Sequence, residues 1–270
     1  MTIIENLSDV EYHADLGSLS SSGARAILAS PAQFRYDQDH PRESTDAFDL
    51  GHAAHTLVLG KGAPLVAVPF DDWRSKAARE ERDTIRADGG TPLLQAQYDQ
   101  VHAMAAKVRD HEDAARILAD GHAEWSGYWD DPDTGVRLRF RMDWHTTIGG
   151  QFLIADYKTT AGSADPVKFA RSAVDFGYHQ QQPWYEDGAK ETGLSDDPAF
   201  CFIVQSKIPP YLVSVVELDP ADVELGRRLN RKAIDLYARC VRENHWPAWE
   251  GIHSVSLPAW AVKQLEEKLA

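Results

Sequence analysis

The strictest alternation of apolar and polar positions lies in GVRLRFRMDW, residues 135–144. Val136, Leu138, Phe140 and Met142 form one series; Arg137, Arg139, Arg141 and Asp143 form the other. Successive side chains on a strand face opposite ways, so this predicts a strand with one apolar face and one face carrying three arginines and a carboxylate. TTIGGQ follows, and Gly149–Gly150 suits the positive φ angles of a two-residue hairpin turn. FLIADYKTT, residues 152–160, is then the returning strand, apolar from Phe152 to Ala155 and ending with Asp156 and Lys158 on one face. With that turn Ile148 pairs with Gln151, and Asp143 falls opposite Asp156, with Cβ atoms about 4.5–5.5 Å apart. A turn centred on Ile148–Gly149 puts Asp143 opposite Ile154, still on the face of Asp156, whereas a one-residue bulge would flip one strand.

The remaining pattern surrounds this hairpin with helices. Residues 17–60 read as helical: Ser20 or Ser21 offers a cap, Pro31 a stop or restart, and a second helix runs from Ala47 to a terminating Gly60. Residues 61–92 are mixed and charged, with a short helix near Asp71–Arg82, and suit an insertion or a mobile cover. Residues 93–119 predict one long amphipathic helix through Leu94, Tyr98, Val101, Ala105 and Val108. A strand-rich block spans 123–157 and two helices span 165–192. AFCFIVQSK and YLVSVVEL read as strands on either side of Pro209–Pro210, and helices close the chain over 219–243 and near 258–269. Helices flanking a small central mixed sheet define an α/β (α+β) fold, a single domain over 1–270 with 61–92 the one weak boundary candidate.

Two opposed carboxylates repel unless a cation lies between them. Mg²⁺ prefers oxygen ligands and keeps open water positions; it polarises a phosphodiester and lowers the pKa of a bound water. An ammonium beside it, here Lys158, orients that water or stabilises charge on phosphorus. An Asp-x-Lys pair alone is usually a solvated strand end, and the arginines fit a solvated face equally well; the opposed Asp143 is what favours chemistry.

Composition narrows the classes. At 43% hydrophobic and 10% aromatic residues the chain is globular. A formal net charge of −14 argues against nonspecific nucleic-acid binding through a basic surface. It leaves room for a DNA enzyme, because salt screens distant charge beyond roughly 8–10 Å. Cys201 and Cys240 are the only cysteines. That is too few for a secreted disulfide framework or for an iron–sulfur cluster of about four cysteine ligands, and a cytoplasmic location is expected. No run of eighteen apolar residues suggests a membrane span, and MTIIENLSDVEYHADLG is too acidic and polar for a signal peptide. HAAH lacks the glutamate of a zinc peptidase motif.

Five ordered motifs resemble the PD-(D/E)XK nuclease superfamily, and within it the RecE-type (exonuclease VIII-like) phage and prophage exonucleases, related to the RecB nuclease domain. LSSSGARAILASPAQFRY is similar to that family's opening helix and GHAAHTLVLG to its G-x-x-x-H helix. EWSGYWDDPDTGVRLRFRMDW resembles its Glu and Arg-x-Asp strands, IADYKTT its D-x-K-T-T strand, and FGYHQQQPWYEDG its Y-H-x-Q-x-x-x-Y helix. Arg-Met-Asp stands where many relatives read Arg-Pro-Asp, a change expected to affect strand stiffness and not ligation.

The resemblance implies metal ligation by His55, Asp143, Asp156 and the backbone carbonyl of Tyr157, with Lys158 as the catalytic lysine. Gln181 and Tyr185 would support the site and the DNA, and Glu124 matches an acidic position. It implies a Mg²⁺-dependent exonuclease (Mn²⁺ substituting) that degrades linear double-stranded DNA from 5′ ends and leaves 3′ single strands for a single-strand annealing protein, working as a ring-shaped homo-oligomer in a phage or its bacterial host. Spacing agrees: Gly51 and His55, and Gln181 and Tyr185, are each i and i+4 on a helix face, and a glycine at 51 permits close approach of another backbone. Arg139 and Arg141 share the face of Asp143 and are candidate phosphate contacts. His52, His145, His179 and His245 read as structural or surface groups. A sequence- or structure-specific endonuclease, and a noncatalytic DNA- or protein-binding module of the same fold, are the alternatives.

Overall fold

The hairpin is the centre of the molecule. Its strands are β6 (Arg137–Ile148) and β7 (Gln151–Thr160), and the pairing runs from Ile148–Gln151 to Trp144–Ala155, the register that the Gly-Gly turn predicts. Gly149 and Gly150 adopt φ of +59° and +86°. The computed structural model describes residues 1–40 and 46–269; residues 41–45 of the predicted helical stretch lie outside the described residues.

Around the hairpin the sheet runs β1 (Thr2–Ile4), β5 (His122–Asp130), β6, β7, β8 (Ala199–Ser206), β9 (Val213–Val216), and β2 (Leu19–Ser20) lies beside β6 off this path. Pairing is mostly antiparallel, with β7–β8 and β2–β6 parallel. Helices cover both faces. On one lie α2 (Ser21–Ala29), α3 (Pro31–Asp39), α8 (Pro166–Asp175), α9 (Tyr178–Glu191) and α10 (Pro220–Glu243), over a core that includes Leu138, Phe140, Met142, Ile154, Phe200 and Phe202. On the other lie α4 (Asp46–Leu59), α6 (Gln95–Asp110) and α7 (Glu112–Leu118), against Ala155, Tyr157, Cys201 and Ile203. The alternation of β7 and β8 between the two cores is the period-2 pattern of a sheet buried on both faces.

Local chemistry sets the helix starts. Ser20 caps α2 by accepting from the Gly23 N–H, and Ser30 caps α3 from the Gln33 N–H with Pro31 in the first turn. Gly60, at φ +70°, ends α4. Close approach of α9 to the sheet depends on Gly188: a Cβ there would lie 2.4 Å from Phe140 Cδ1. The Trp184 indole N–H donates to the Arg139 carbonyl at 2.9 Å, joining α9 to β6.

Several expectations need revision. The helix read over 93–119 is two, broken at His111, whose Nδ1 accepts from Ala114 N–H and caps α7. Residues 61–92 contain β3 (Leu65–Val68) and α5 (Lys76–Ala87), and β4 (Thr91–Leu94) pairs parallel with β3. The helix there starts at Ser75, whose hydroxyl caps it, and not near Asp71. The N-terminal elements β1 and α1 (Asp9–Ala14) carried no sequence expectation. α11 (Ala259–Leu269) forms where expected but buries none of its residues. Both cysteines are buried free thiols. Among the described residues no helix is long and apolar enough to cross a membrane.

Candidate active site

The β6–β7 ladder ends at Trp144–Ala155, while both strands run on with other partners: β7 stays paired with β8 through Thr160, and β6 with β5 through Arg137. At Leu138–Arg139, β2 takes the side of β6 that β7 has left. The sheet therefore forks, and the next rungs hold the acids. Asp143 falls one step beyond Trp144 and Asp156 one step beyond Ala155. The Tyr157 N–H, freed at the fork, donates to Asp143 Oδ2 at 2.9 Å.

A second irregularity sits at the same level. Met142 packs in the α9–α10 core, whereas Trp144 packs against the α6–α7 core and donates its indole N–H to the Ile117 carbonyl at 2.9 Å. Residues two apart on a regular strand share a face, so β6 changes face at Asp143. Across from it on β5, Glu124 is skipped by the ladder and has φ +61°, a left-handed conformation that costs a non-glycine residue about 1–3 kcal/mol. Glu124, Asp143 and Asp156 thus occupy one level on three neighbouring strands.

His55 of α4 joins these acids. Its Nε2 lies 3.1 Å from Asp143 Oδ2 and its Nδ1 3.5 Å from Glu124 Oε1. Lys158 Nζ lies 2.5 Å from Asp156 Oδ1 and 4.9 Å from the centroid of the Tyr178 ring. The Gln181 side-chain amide donates to Asp156 Oδ2. Tyr185, one turn further along α9, lines the same cleft of about 1100 Å³, and burial raises its phenol well above the usual value. The Tyr157 side chain points the other way, its hydroxyl donating to Gln205 Oε1 at 2.5 Å, so only the Tyr157 backbone is available to the site.

Electrostatics separates the two aspartates. Burial raises Asp156, and the Asp143 charge raises it further against the pull of Lys158. Burial also opposes charge on Asp143, but His55, Lys158 and the Tyr157 N–H hold its carboxyl below the usual range. Burial disfavours the imidazolium of His55, yet Asp143 and Glu124 raise it to about 9. Burial raises Glu124 as well, and it opposes charge on Lys158, which Asp156 and Asp143 raise nonetheless.

Among the described residues no three imidazole, carboxylate or thiolate side chains form a ready-made cation cage. The chemistry of the donors nonetheless fits a hard divalent cation. Two carboxylates, 1% and 19% exposed, lie level across the fork, an imidazole adjoins one, and Asp156 Oδ1 is a buried oxygen that meets Lys158 without a well-formed hydrogen bond.

The structure gives Arg139 and Arg141 a task other than the phosphate contacts expected of them. Both are buried, at 8% and 9% exposure. Arg139 Nη1 donates to the carbonyls of Asp15 and Ser18; Arg141 Nη1 reaches Asp9 Oδ1 at 2.5 Å and Nη2 the Leu7 carbonyl at 2.8 Å. The Tyr12 ring lies over both guanidinium groups, centroids 5.0 and 4.4 Å away. They tether the N-terminal segment to the cleft wall. A polar strand face reads as solvated or ligand-binding, and nothing in the local pattern announced the segment that covers it. Gly51 borders the cleft, and among the described residues a Cβ there would meet nothing within 4 Å, so no described backbone makes the close approach expected of it. The cleft adds Tyr178, the first tyrosine of the Y-H-x-Q-x-x-x-Y motif, to which no role was given, and Arg25 of α2, which no motif position singled out; the one signal for Arg25 is that it is the first basic residue after His13 in the sequence.

Fold and site together define a PD-(D/E)XK-type nuclease architecture. The chain belongs to the family of PDDEXK-like domains of unknown function (DUF3799), whose model matches residues 20–255. No curated protein matches it. Among solved structures it is similar to a protein from Eubacterium rectale named a "putative exonuclease", with TM-score 0.58 and 13% identity over 92% of this chain and 96% of that one. At that identity the likeness concerns the fold. Weaker likenesses, to SSO0001 (TM-score 0.29, 15% identity, 70% and 85% of the two chains) and to VC1899 from Vibrio cholerae (0.23, 13%, 89% and 58%), carry no argument.

Proposed function

We propose that this protein is a Mg²⁺-dependent DNA exonuclease acting on the ends of linear double-stranded DNA. The observation that carries this reading is the Asp143–Asp156 pair at the fork, Asp156 buried and Asp143 half-buried, with Lys158 and His55 beside it in one cleft. Asp143, Asp156, His55 and the Tyr157 carbonyl would hold the cation, which when bound polarises the phosphodiester and acidifies water. Lys158, steadied over the Tyr178 ring, orients the attacking water and stabilises charge on the phosphorus. Gln181 fixes Asp156, Tyr185 walls the cleft next to it, and Glu124 holds the imidazole of His55 from the far side. Water is the nucleophile, so no covalent enzyme intermediate forms.

Family resemblance supports digestion from the 5′ end, with 3′ single strands passed to an annealing protein, and a ring-shaped homo-oligomer in the bacterial or phage-infected cytoplasm. The ends of 61–92, at Lys61–Ala63 and Thr91, border the cleft, which supports a covering role for that segment within a single 1–270 domain.

End-labelled linear duplex, blunt or with either overhang, tests this reading in Mg²⁺, in Mn²⁺ and in EDTA, with closed circular DNA alongside. We expect mononucleotides from the 5′ strand of linear DNA in either metal, an intact circle, and no products in EDTA or from Asp156→Ala. Cutting of the circle would make the enzyme an endonuclease. Inactivity of the wild type in both metals would leave a noncatalytic module.

A further inference from the structure

In a chain of formal net charge −14, each cation in the cleft has to be accounted for. Among the described residues, lysines and arginines line it at six positions: Arg25, Lys61, Arg139, Arg141, Lys158 and Lys207. Arg139 and Arg141 hold the N-terminal segment. Lys61 Nζ donates to the carbonyls of Glu5 and Ala123 and to Asn6 Oδ1. Lys158 is paired with Asp156. Lys207 follows the end of β8, and a lysine ammonium is a point charge on a flexible stem.

Arg25 differs from all of these. Its guanidinium makes no hydrogen bond or ion pair with any described residue. Its Nε is buried without a partner, while the two Nη atoms, also unbonded but not buried, open onto the cleft. The side chain is nonetheless held in place. Its stem lies against Gly177, where a Cβ would come within 2.1 Å of Arg25 Cδ, and Gly177 adopts φ +69° at the start of α9, one residue before Tyr178 and four before Gln181. One turn before Arg25 on the same helix face, Ser21 lines the cleft at 7% exposure and its hydroxyl has no partner. A pre-positioned guanidinium without an acid, buried at Nε and open at both Nη atoms, beside an unsatisfied hydroxyl near the N-terminus of a nine-residue helix, is complementary to a phosphate.

We propose that Arg25, with Ser21, forms a second phosphate subsite, binding a phosphate of the DNA strand other than the one being cleaved. This deepens the nuclease reading and rests on it. Arg25 would set the position of the strand relative to Lys158 and Asp156, and it takes the phosphate-contacting role that the sequence suggested for Arg139 and Arg141.

The test compares wild type, Arg25→Gln, Arg25→Lys and Arg137→Gln. Arg137 is an exposed arginine paired with Asp130 and lies outside the cleft. Binding of an internally labelled linear duplex is measured by fluorescence anisotropy in EDTA across a salt series, and steady-state cleavage in Mg²⁺. We expect Arg25→Gln to bind about 10-fold more weakly or worse. The slope of log affinity against log salt should flatten by about 0.9, with KM raised and kcat within about twofold of wild type. Arg25→Lys keeps the slope but recovers only part of the affinity, because it lacks the planar fork. If Arg25→Gln folds poorly, Arg25→Met, which keeps an unbranched stem against Gly177 and removes the charge, gives the same reading.

Loss confined to 5′-phosphorylated duplex identifies a terminal phosphate. Equal loss on 5′-hydroxyl duplex identifies an internal phosphodiester. Unchanged slope and KM in Arg25→Gln while wild type cleaves, or the same change in Arg137→Gln, overturns this subsite alone. A wild type that neither binds nor cuts DNA overturns the nuclease reading and the subsite with it.

Discussion

The two halves of the β6–β7 hairpin differ sharply. From the Gly149–Gly150 turn to Trp144–Ala155 the ladder is unbroken, and Ile154 is fully buried. Past that rung the strands part, β6 changes face, Glu124 across from it takes a left-handed backbone, and three carboxylates come level. Regular pairing satisfies every backbone group and leaves none for chemistry. The fork releases one, the Tyr157 N–H, and turns it to hold a carboxylate. The turn half stabilises the frame, and the fork half places charge where a regular sheet would exclude it.

The largest effect expected at the fork is on rate. Asp156→Asn should lower kcat by on the order of 10³-fold while the circular dichroism spectrum stays native. Two residues away on the same strand, Ile154→Ala should do the opposite, costing about 2–5 kcal/mol in urea unfolding with kcat per folded molecule unchanged. If either substitution produces the other's effect, the division between the halves fails.

The fork should also show in pH dependence. The His55 imidazolium is raised from 6.5 to about 9 in the folded, metal-free protein. Its contribution to stability is therefore complete below pH 6.5 and is lost as pH rises through 9. Melting temperature in EDTA should fall over that window, and His55→Ala should flatten the fall. Added Mn²⁺ should stabilise more at higher pH, because metal and proton compete for the same nitrogen. The smallest effect belongs to the turn: Gly149→Ala, at φ +59°, should cost about 1–2 kcal/mol and leave kcat unchanged.

The hairpin was legible because its cues are local: a Gly-Gly pair and two strands of fixed parity specify the register. The i, i+4 spacing likewise brought Gln181 and Tyr185 to one cleft, and His55 was legible only through a motif. What stayed hidden depends on distant parts of the chain. The fork opens where β2, some 120 residues earlier in sequence, claims the edge of β6. The face change at Asp143 and the φ of Glu124 leave no trace in hydrophobic periodicity. The cover over Arg139 and Arg141 stayed hidden for the same reason, because Tyr12, whose ring lies over them, is more than a hundred residues away. β4 carries Pro92 within a four-residue strand, too short and too broken to read.

The strap formed by residues 5–18 has a practical consequence. It neutralises or hides Lys61, Arg139 and Arg141 within a cleft that would otherwise present three more cations. A version of the protein shortened past Tyr12 would gain attraction for any polyanion, heparin as readily as DNA. Its tighter adsorption to such a resin would measure lost discrimination, not improved recognition.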